Sequence, residues 1–284
     1  MNAPQDSAAL RAAADAGRSD HVATAASLLA KIAAEFAPAV LANSLGAEDM
    51  VLTDMIWRAR LDIDMFSLDT GRLHTETYDL MDTIERHYGI RLKRYTPQQE
   101  ALEKYTSRHG LDGFYQSLEL RRSCCGIRKV EPLRRALAGK RAWITGMRAQ
   151  QTASRAGLPL RQWDEAHGLE KFNPLADWSE QEIWDYLRKY RVPYNALHDR
   201  HYPSIGCAPC TRAIAAGEDI RAGRWWWENA DTKECGLHRI PVGISAEANI
   251  GADDVKARSA GRSQNQDTKE CGLHLASPLQ RKSA

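Results

Sequence analysis

Short apolar runs alternate with helical patterns in the first half of the chain, and this alternation restricts the fold more than any other feature. The run 39–42 follows Pro38 and leads into a Ser-Leu-Gly turn and then apolar residues at helical spacing. A second run, 65–68, precedes a turn at 69–71 and another helical pattern. The segments "IRLKRYTP" and "RAWITGM" predict a third and a fourth strand. Strands that alternate with helices predict an α/β fold built on a parallel sheet.

The loops that follow three of these strands form the candidate ligand site. Their sequences are "NSLGAED", "LDTGR" and "TGMRAQQTASR". Parallel sheets bind their ligands beyond the carboxyl ends of the strands, so these loops are expected to meet there. Further along, "SEQEIWDYLRKY" predicts a helix that opens with a capping box between Ser179 and Glu182.

Both ends of the chain are expected to lie outside the folded domain. Residues 1–22 are rich in Ala and predict a flexible leader. Residues 239–284 contain no aromatic residue and are small and polar, which predicts a disordered tail. The domain is therefore expected to span residues 23–238.

Composition and charge exclude several classes of function. The chain has 39 basic and 37 acidic residues, and its net charge of +2 gives no global field for nucleic acid. No apolar run approaches the roughly 18 residues of a membrane span, and the acidic residues of the leader argue against a transit peptide. We therefore expect a cytoplasmic protein, in which a reducing environment does not favour structural disulfides.

A basic stretch runs from Arg121 to Arg161, with eleven Lys or Arg and a single acid, Glu131. A solvated basic face is the simpler interpretation of such a stretch. The alternative is a site for an anionic ligand, which gains weight if reactive residues lie nearby.

Four cysteines in two tight pairs suggest a metal site. They are Cys124, Cys125, Cys207 and Cys210. The side chains of adjacent cysteines diverge, which makes it awkward for both to bind one tetrahedral zinc ion, whereas a four-iron cluster offers each thiolate its own iron. An iron–sulfur cluster is therefore the first hypothesis and structural zinc the second.

A further cysteine lies in an octapeptide, "DTKECGLH", that occurs twice, at 231–238 and 267–274. Cys235 of the first copy follows "RAGRWWWE" and is a candidate nucleophile, because nearby cations favour a thiolate. The alternative, which the residues alone favour at least equally, is a surface cysteine on a mobile loop. Cys271 of the second copy follows "GRSQNQ", with no aromatic residue nearby, and an exposed spare thiol is the favoured interpretation. Similarity stops within about two residues of each copy, unlike the whole structural units of a solenoid.

Five motifs in order resemble the assimilatory adenylyl-sulfate reductases, the cluster-bearing members of the adenylyl-sulfate and 3′-phospho-adenylylsulfate reductase family. The motifs are "RRSCCGIRKVEPL", "ITGMRAQQTASR", "GCAPC", "RAGRWWWE" and "KECGLH". The resemblance covers roughly residues 39–238. It implies a fold similar to the PP-loop pyrophosphatase type of adenine nucleotide α-hydrolase. The loop "NSLGAEDM" has one Gly where ATP users have a Gly-rich loop, so a nucleotide without a pyrophosphate is expected.

The resemblance also implies the reaction, which is reduction of adenylyl sulfate to sulfite and AMP. Cys235 would attack the sulfate sulfur and form S-sulfocysteine, and thioredoxin, or alternatively glutaredoxin, would release sulfite. The positions matching substrate-contacting residues of the family are Ser44, Leu68, Lys129, Gly146, Arg155, Arg221, Arg224 and the histidine beside the catalytic cysteine, His238. The positions matching its cluster ligands are Cys124, Cys125, Cys207 and Cys210, for one [4Fe-4S] cluster per chain. A homo-oligomer is compatible with the sequence.

Three alternatives stay open. The nearest is a reductase of 3′-phospho-adenylylsulfate, or of both nucleotides. A second is a nucleotide α-hydrolase or tRNA-thiolating sulfurtransferase of the same fold, which would need an intact pyrophosphate loop. The third is a non-catalytic iron–sulfur or zinc sensor, in which Cys235 would be dispensable.

Overall fold

The computed structural model describes residues 5–151, 155 and 157–229, and a six-stranded sheet lies at the centre of this part of the chain. The strands are β1 (Ala39–Ala42), β2 (Asp64–Leu68), β3 (Lys93–Tyr95), β4 (Ala142–Ile144), β5 (Arg161–Asp164) and β6 (Leu169–Phe172). Their order is β3-β2-β1-β4-β6-β5, and every neighbouring pair is parallel except β5 with β6. The predicted α/β fold with a mainly parallel sheet is confirmed.

Seven α-helices occur in the described residues. They are α1 (Gln5–Glu35), α2 (Ala47–Arg58), α3 (Thr75–Tyr88), α4 (Gln99–His109), α5 (Leu118–Cys125), α6 (Glu131–Leu137) and α7 (Glu180–Tyr190). A π-helical turn, Gly126–Val130, joins α5 to α6. The predicted capping box of α7 is present: the Ser179 hydroxyl accepts from the Glu182 amide at 3.2 Å, and the Glu182 carboxylate accepts from the Ser179 amide at 2.7 Å. Over the described residues, no helix combines the length and apolarity required to cross a bilayer.

Apolar residues cover both faces of the sheet. On β1, Leu41 packs into a core cluster with side chains of α1, α2, α3 and α7. Its neighbour Val40 points to the opposite face and packs with Phe66, Trp143 and residues of α6. Burial on both faces explains why β1 is a continuous apolar run rather than an alternating one.

The structure differs from the sequence-based expectations in two elements. Helix α1 begins at Gln5, so residues 5–22 are helical where a flexible leader is expected. Ala is the strongest helix former, and Ala25, Leu29 and Ile32 give the helix a buried stripe. Strands β5 and β6 are not predicted, because β6 carries a buried Lys171 that hides its apolar pattern. The domain boundary at 238 and the tail 239–284 lie outside the described residues.

A buried carboxylate joins three helices behind the sheet. Asp54 of α2 is fully buried and accepts hydrogen bonds from Tyr88 of α3 at 3.1 Å and Tyr186 of α7 at 2.9 Å. It also accepts from Arg58 at 2.5 Å. Buried donors lose stability when their acceptor is removed, so Asp54 stabilises the packing of α2 against α3 and α7.

We expect Asp54→Ala to lower the free energy of unfolding by about 3 kcal/mol, because two buried hydroxyls and a guanidinium lose their acceptor. Urea denaturation followed by far-ultraviolet circular dichroism measures the change. Asp64→Ala is the matched control, since that carboxylate is largely exposed and should cost less than about 1 kcal/mol. Equal losses in the two variants would contradict the assignment.

Candidate active site

A cavity of about 280 Å³ opens at the carboxyl ends of β1, β2 and β4. The strand order reverses between β1 and β4, because β2 and β3 extend the sheet on one side of β1 and the chain then returns to its other side. In open parallel sheets this reversal creates a crevice between the loops, which is where ligands bind. The predicted location of the ligand site is therefore occupied by a cavity large enough for a small ligand.

All seven described positions for which substrate contact is predicted line this single cavity. They are Ser44, Leu68, Lys129, Gly146, Arg155, Arg221 and Arg224. Ser44 follows β1, Leu68 ends β2 and Gly146 follows β4, so the sheet brings three distant segments together. His238 lies outside the described residues.

Arg224 is held in the cavity wall by contacts on several sides. Its Nη1 donates to the Ser204 hydroxyl and the Ile205 carbonyl, each at 3.3 Å, and its guanidinium stacks on the Trp225 ring at 4.7 Å. A Cβ on Gly206 would lie 2.4 Å from Nη2 of Arg224. Glycine at 206 is therefore required for the guanidinium to take this position.

Some cations of the basic stretch 121–161 line the cavity, and others form ion pairs, all but one of which are with acids outside the stretch. Lys129, Arg148 and Arg155 line the cavity. The ion pairs are Arg121 with Glu228, Arg135 with Glu131, Lys140 with Asp64 and Arg161 with Glu170. Three cations of the stretch thus meet at one cavity, as a site for an anionic ligand would require, and that role stays a prediction.

The four cysteines of the predicted metal site surround a second, smaller cavity of about 20 Å³. Cys124 and Cys125 end α5, and Cys207 and Cys210 bracket a short 3₁₀ turn. None of the four forms a disulfide. Lys129 and Trp225 line both cavities, so the two sites share a wall.

Backbone pairing ties the Cys207–Cys210 loop to both sides of the larger cavity. Leu73, in the loop after β2, forms a β-bridge with Cys207. On the other side, the Trp225 amide donates to the Cys210 carbonyl at 3.1 Å. The cysteine cavity and the walls of the larger cavity are therefore one connected structure.

Burial raises the pKa values of the thiols in this cavity, and nearby cations lower them. Burial raises the pKa of Cys210 to about 12, and the neighbouring Cys207 adds to the rise. For Cys207, burial also raises the pKa, but Lys129, the Thr70 hydroxyl at 3.3 Å and Arg224 outweigh it, so the net shift is downward. The surroundings of this cavity therefore favour thiolate at Cys207.

Within residues 5–151, 155 and 157–229, no group of three or more His, Cys, Asp or Glu is arranged to hold a single metal ion.

The predicted nucleophile, Cys235, and the duplicate Cys271 lie outside the described residues, but the segment that leads to Cys235 is described. Trp225 is buried in the wall shared by the two cavities. Three residues later, Glu228 accepts a bidentate pair from the buried Arg121, with both contacts at 2.8 Å. The motif that precedes the first octapeptide is thus anchored beside both cavities.

Comparisons with known proteins identify the family of the chain. Residues 38–213 match the phosphoadenosine phosphosulfate reductase domain family. The chain belongs to this family.

An adenosine 5′-phosphosulfate reductase from Allochromatium vinosum is 63% identical over 217 residues, which cover 76% of this chain and 85% of that protein. One from Burkholderia cepacia is 54% identical over 226 residues, covering 79% and 90%. The crystal structure of a phosphoadenylyl-sulfate reductase from Candida auris, as a phosphate complex, superposes with a TM-score of 0.59 at 28% identity, covering 67% of this chain and 90% of that one.

This member of the phosphoadenosine phosphosulfate reductase domain family has further cavity residues that sequence reasoning missed. They are Glu48, Asp49, Arg148, Gln151, Gly206 and Trp225. The acids lie in the loop "NSLGAED" of the candidate ligand site, but no local pattern assigns a role to either of them. The role of Gly206 depends on contact with a residue 18 positions away, and no local pattern predicts that contact.

We expect Gly206→Ala to weaken nucleotide binding about tenfold or more, because the added methyl group displaces Arg224 from the cavity wall. Isothermal titration with AMP measures the change. Gly126→Ala is the matched control, since a Cβ there meets no atom within 4 Å. Unchanged affinity in Gly206→Ala would mean that Arg224 does not act on the nucleotide from this position.

Proposed function

We propose that the protein reduces adenylyl sulfate to sulfite and AMP, with thioredoxin as the electron donor, in sulfate assimilation leading to cysteine. The observation that carries the proposal is the cavity itself, in which four cations converge beside the cysteine cavity: Lys129, Arg155, Arg221 and Arg224. Relatives named adenosine 5′-phosphosulfate reductase at 54% and 63% identity support the same activity.

The nucleotide end of the substrate would lie on the loops after β1, β2 and β4. Ser44, Leu68 and Gly146 line the cavity there, next to apolar side chains such as Phe66 and Leu133. An adenine ring needs an apolar slot with a few polar groups at its edge. The loop after β1 has one glycine, Gly46, which fits a substrate without a pyrophosphate.

The cations are needed because the reaction brings two anions together. A thiolate and a sulfate about 4 Å apart repel by about 4 kcal/mol at the effective dielectric constant of a protein surface. Lys129, Arg155, Arg221 and Arg224 would offset this repulsion and bind the phosphate and sulfate oxygens. Arg224 is already oriented by its contacts with Ser204, Ile205 and Trp225.

Cys235 would act as the nucleophile in a two-stage reaction. Its thiolate forms a bond to the sulfate sulfur while the sulfur–oxygen bond to the AMP phosphate breaks, so AMP leaves with the electron pair. One thioredoxin thiolate then attacks Sγ of Cys235, and sulfite leaves with the electron pair of the broken sulfur–sulfur bond. The second thioredoxin thiol resolves the mixed disulfide, so two electrons come from thioredoxin. His238, three residues after Cys235, would assist this exchange.

The cysteine cavity fits a [4Fe-4S] cluster, one per chain, held by Cys124, Cys125, Cys207 and Cys210. Four unbridged thiols converge from two segments, and the adjacent pair suits a cluster that gives each thiolate a separate iron. When bound, the cluster would supply structural cross-linking and local charge. Lys129, Arg128 and the Thr70 hydroxyl would offset the negative charge of its ligands.

Because the proposed reaction depends on reduced thiols, we place the protein in the cytoplasm.

The covalent mechanism predicts a sulfonate adduct on Cys235 when the protein is incubated with adenylyl sulfate and no thioredoxin. Mass spectrometry should find the mass of one sulfur trioxide unit added to the peptide that contains Cys235. The adduct should form faster than with 3′-phospho-adenylylsulfate, and adding thioredoxin should release it as sulfite.

Cys271→Ser is the matched control for Cys235→Ser, because both cysteines lie in the same octapeptide. Cys271→Ser should keep the adduct and the activity, whereas Cys235→Ser should lose both. Sulfite production by Cys235→Ser that disappears in the double variant would transfer the role to Cys271.

The cofactor assignment predicts that Cys207→Ser lowers the content of iron and acid-labile sulfide well below four of each per chain, because one thiolate ligand is lost. Elemental analysis and visible absorption of anaerobically purified protein measure this. Cys235→Ser should keep the wild-type content. Stoichiometric zinc in place of iron would favour the structural-zinc alternative.

A further inference from the structure

Two consecutive acids lie in the wall of a cavity proposed to bind an anion. Glu48 and Asp49 occupy the first turn of α2, and both line the cavity. Their negative charge opposes the binding of a phosphate or sulfate, so they are not suited to contact those groups themselves. Their own contacts indicate what they do.

Asp49 connects the loops after β1 and β4. Its Oδ2 accepts from the Ser44 amide at 2.7 Å and the Ser44 hydroxyl at 2.5 Å. Its Oδ1 accepts from the Gly146 amide at 3.0 Å. A Cβ on residue 146 would lie 2.4 Å from Oδ1, so this approach requires glycine.

The contacts of Asp49 require a carboxylate. Three donors approach two oxygens, and they come from opposite sides of the group. An amide of the same size has one oxygen and one NH₂ group, so it can accept from the Ser44 side or from Gly146 but not from both. Burial raises the pKa of Asp49 to about 6, and the hydrogen bonds from Ser44 and Gly146 act against that rise because they favour the ionised form.

Glu48 acts on the second loop through two residues. Its Oε1 accepts from Nε of Arg148 and from Nε2 of Gln151, each at 2.9 Å. The oxygen of Gln151 accepts in turn from the Arg148 amide at 3.2 Å and from Nη1 of Arg155. Glu48 therefore orients Gln151, and Gln151 orients the cation predicted to contact substrate.

Resting on the proposed function, we infer that Glu48 and Asp49 are positioning residues: Asp49 holds the nucleotide-side residues Ser44 and Gly146 together, and Glu48 orients Arg155 in the cavity through Gln151. The two acids hold different parts of the cavity, because Asp49 contacts Ser44 and Gly146 whereas Glu48 contacts Arg148 and Gln151. Removing either negative charge would strengthen anion binding by Coulomb's law alone. A loss of binding or rate on removing it therefore reports lost geometry.

The test for Asp49 is AMP binding by isothermal titration, which requires no turnover. Asp49→Asn should weaken AMP binding about tenfold or more, since one loop loses its acceptor. Asp199→Asn is the control, at an acid that does not line the cavity. Its Oδ1 accepts from the Tyr194 hydroxyl at 3.2 Å, and an amide oxygen can keep that contact. Asp199→Asn should bind AMP as the wild type does.

The test for Glu48 is the rate of Cys235 sulfonation at saturating adenylyl sulfate. Both contacts of Glu48 fall on Oε1, so Glu48→Gln can keep them and should react within about threefold of wild type. Glu48→Ala loses both and should react about tenfold or more slowly. This pair also covers the case in which Asp49→Asn does not fold, as judged by its melting temperature and visible absorption.

Asp49→Asn that binds AMP as tightly as wild type, or Glu48→Ala that reacts as fast as Glu48→Gln, would overturn the inference. Failure of the proposed function has a different result, which is absence of sulfite from wild type with adenylyl sulfate and thioredoxin. Normal AMP binding by wild type and weak binding by Asp49→Asn would still stand in that case.

Discussion

The reversal of strand order between β1 and β4 is the constraint on which the site depends. Because the chain leaves β1 toward β2 and later returns to pair β4 with its other edge, the loops after these strands diverge and leave a crevice. Segments more than a hundred residues apart then meet at one edge of the sheet. Those loops supply Ser44, Gly146 and Arg155, whereas Lys129 comes from the turn between α5 and α6, and Arg221 and Arg224 come from the segment after Cys210.

Charge balance is the second requirement of the site. Buried thiols resist ionisation, as the raised pKa of Cys210 shows, and an anionic substrate beside them would add to the difficulty. Lys129 lines both cavities and lowers the pKa of Cys207, so a single cation acts on the cysteines and faces the substrate side. The two acids of α2, Glu48 and Asp49, lie next to these charges. Their carboxylates accept hydrogen bonds, and the donors are Ser44, Gly146, Arg148 and Gln151.

The sequence predicts those parts of the structure that depend on local patterns. β1 matches its predicted range because both of its faces are buried and the run is apolar throughout. β6 escapes prediction because Lys171 is buried against the Trp143 ring at 4.7 Å, where burial lowers its pKa to about 8. The contact of Asp49 with Gly146 joins residues 97 positions apart, and that of Gly206 with Arg224 depends on folding of the intervening loop. The motifs identify which residues take part, but only the fold shows what holds them.

The anchored segment before the first octapeptide also separates the two copies on geometric grounds. Glu228 is held by Arg121, and Cys235 follows it by seven residues. An extended chain spans at most about 3.6 Å per residue, so Cys235 lies within about 25 Å of that anchor, whatever path the chain takes. Cys271 follows the anchor by 43 residues, and no comparable limit keeps it near the cavity. The buried ion pair next to the first copy therefore limits how far Cys235 can lie from the cavity and sets no such limit for Cys271.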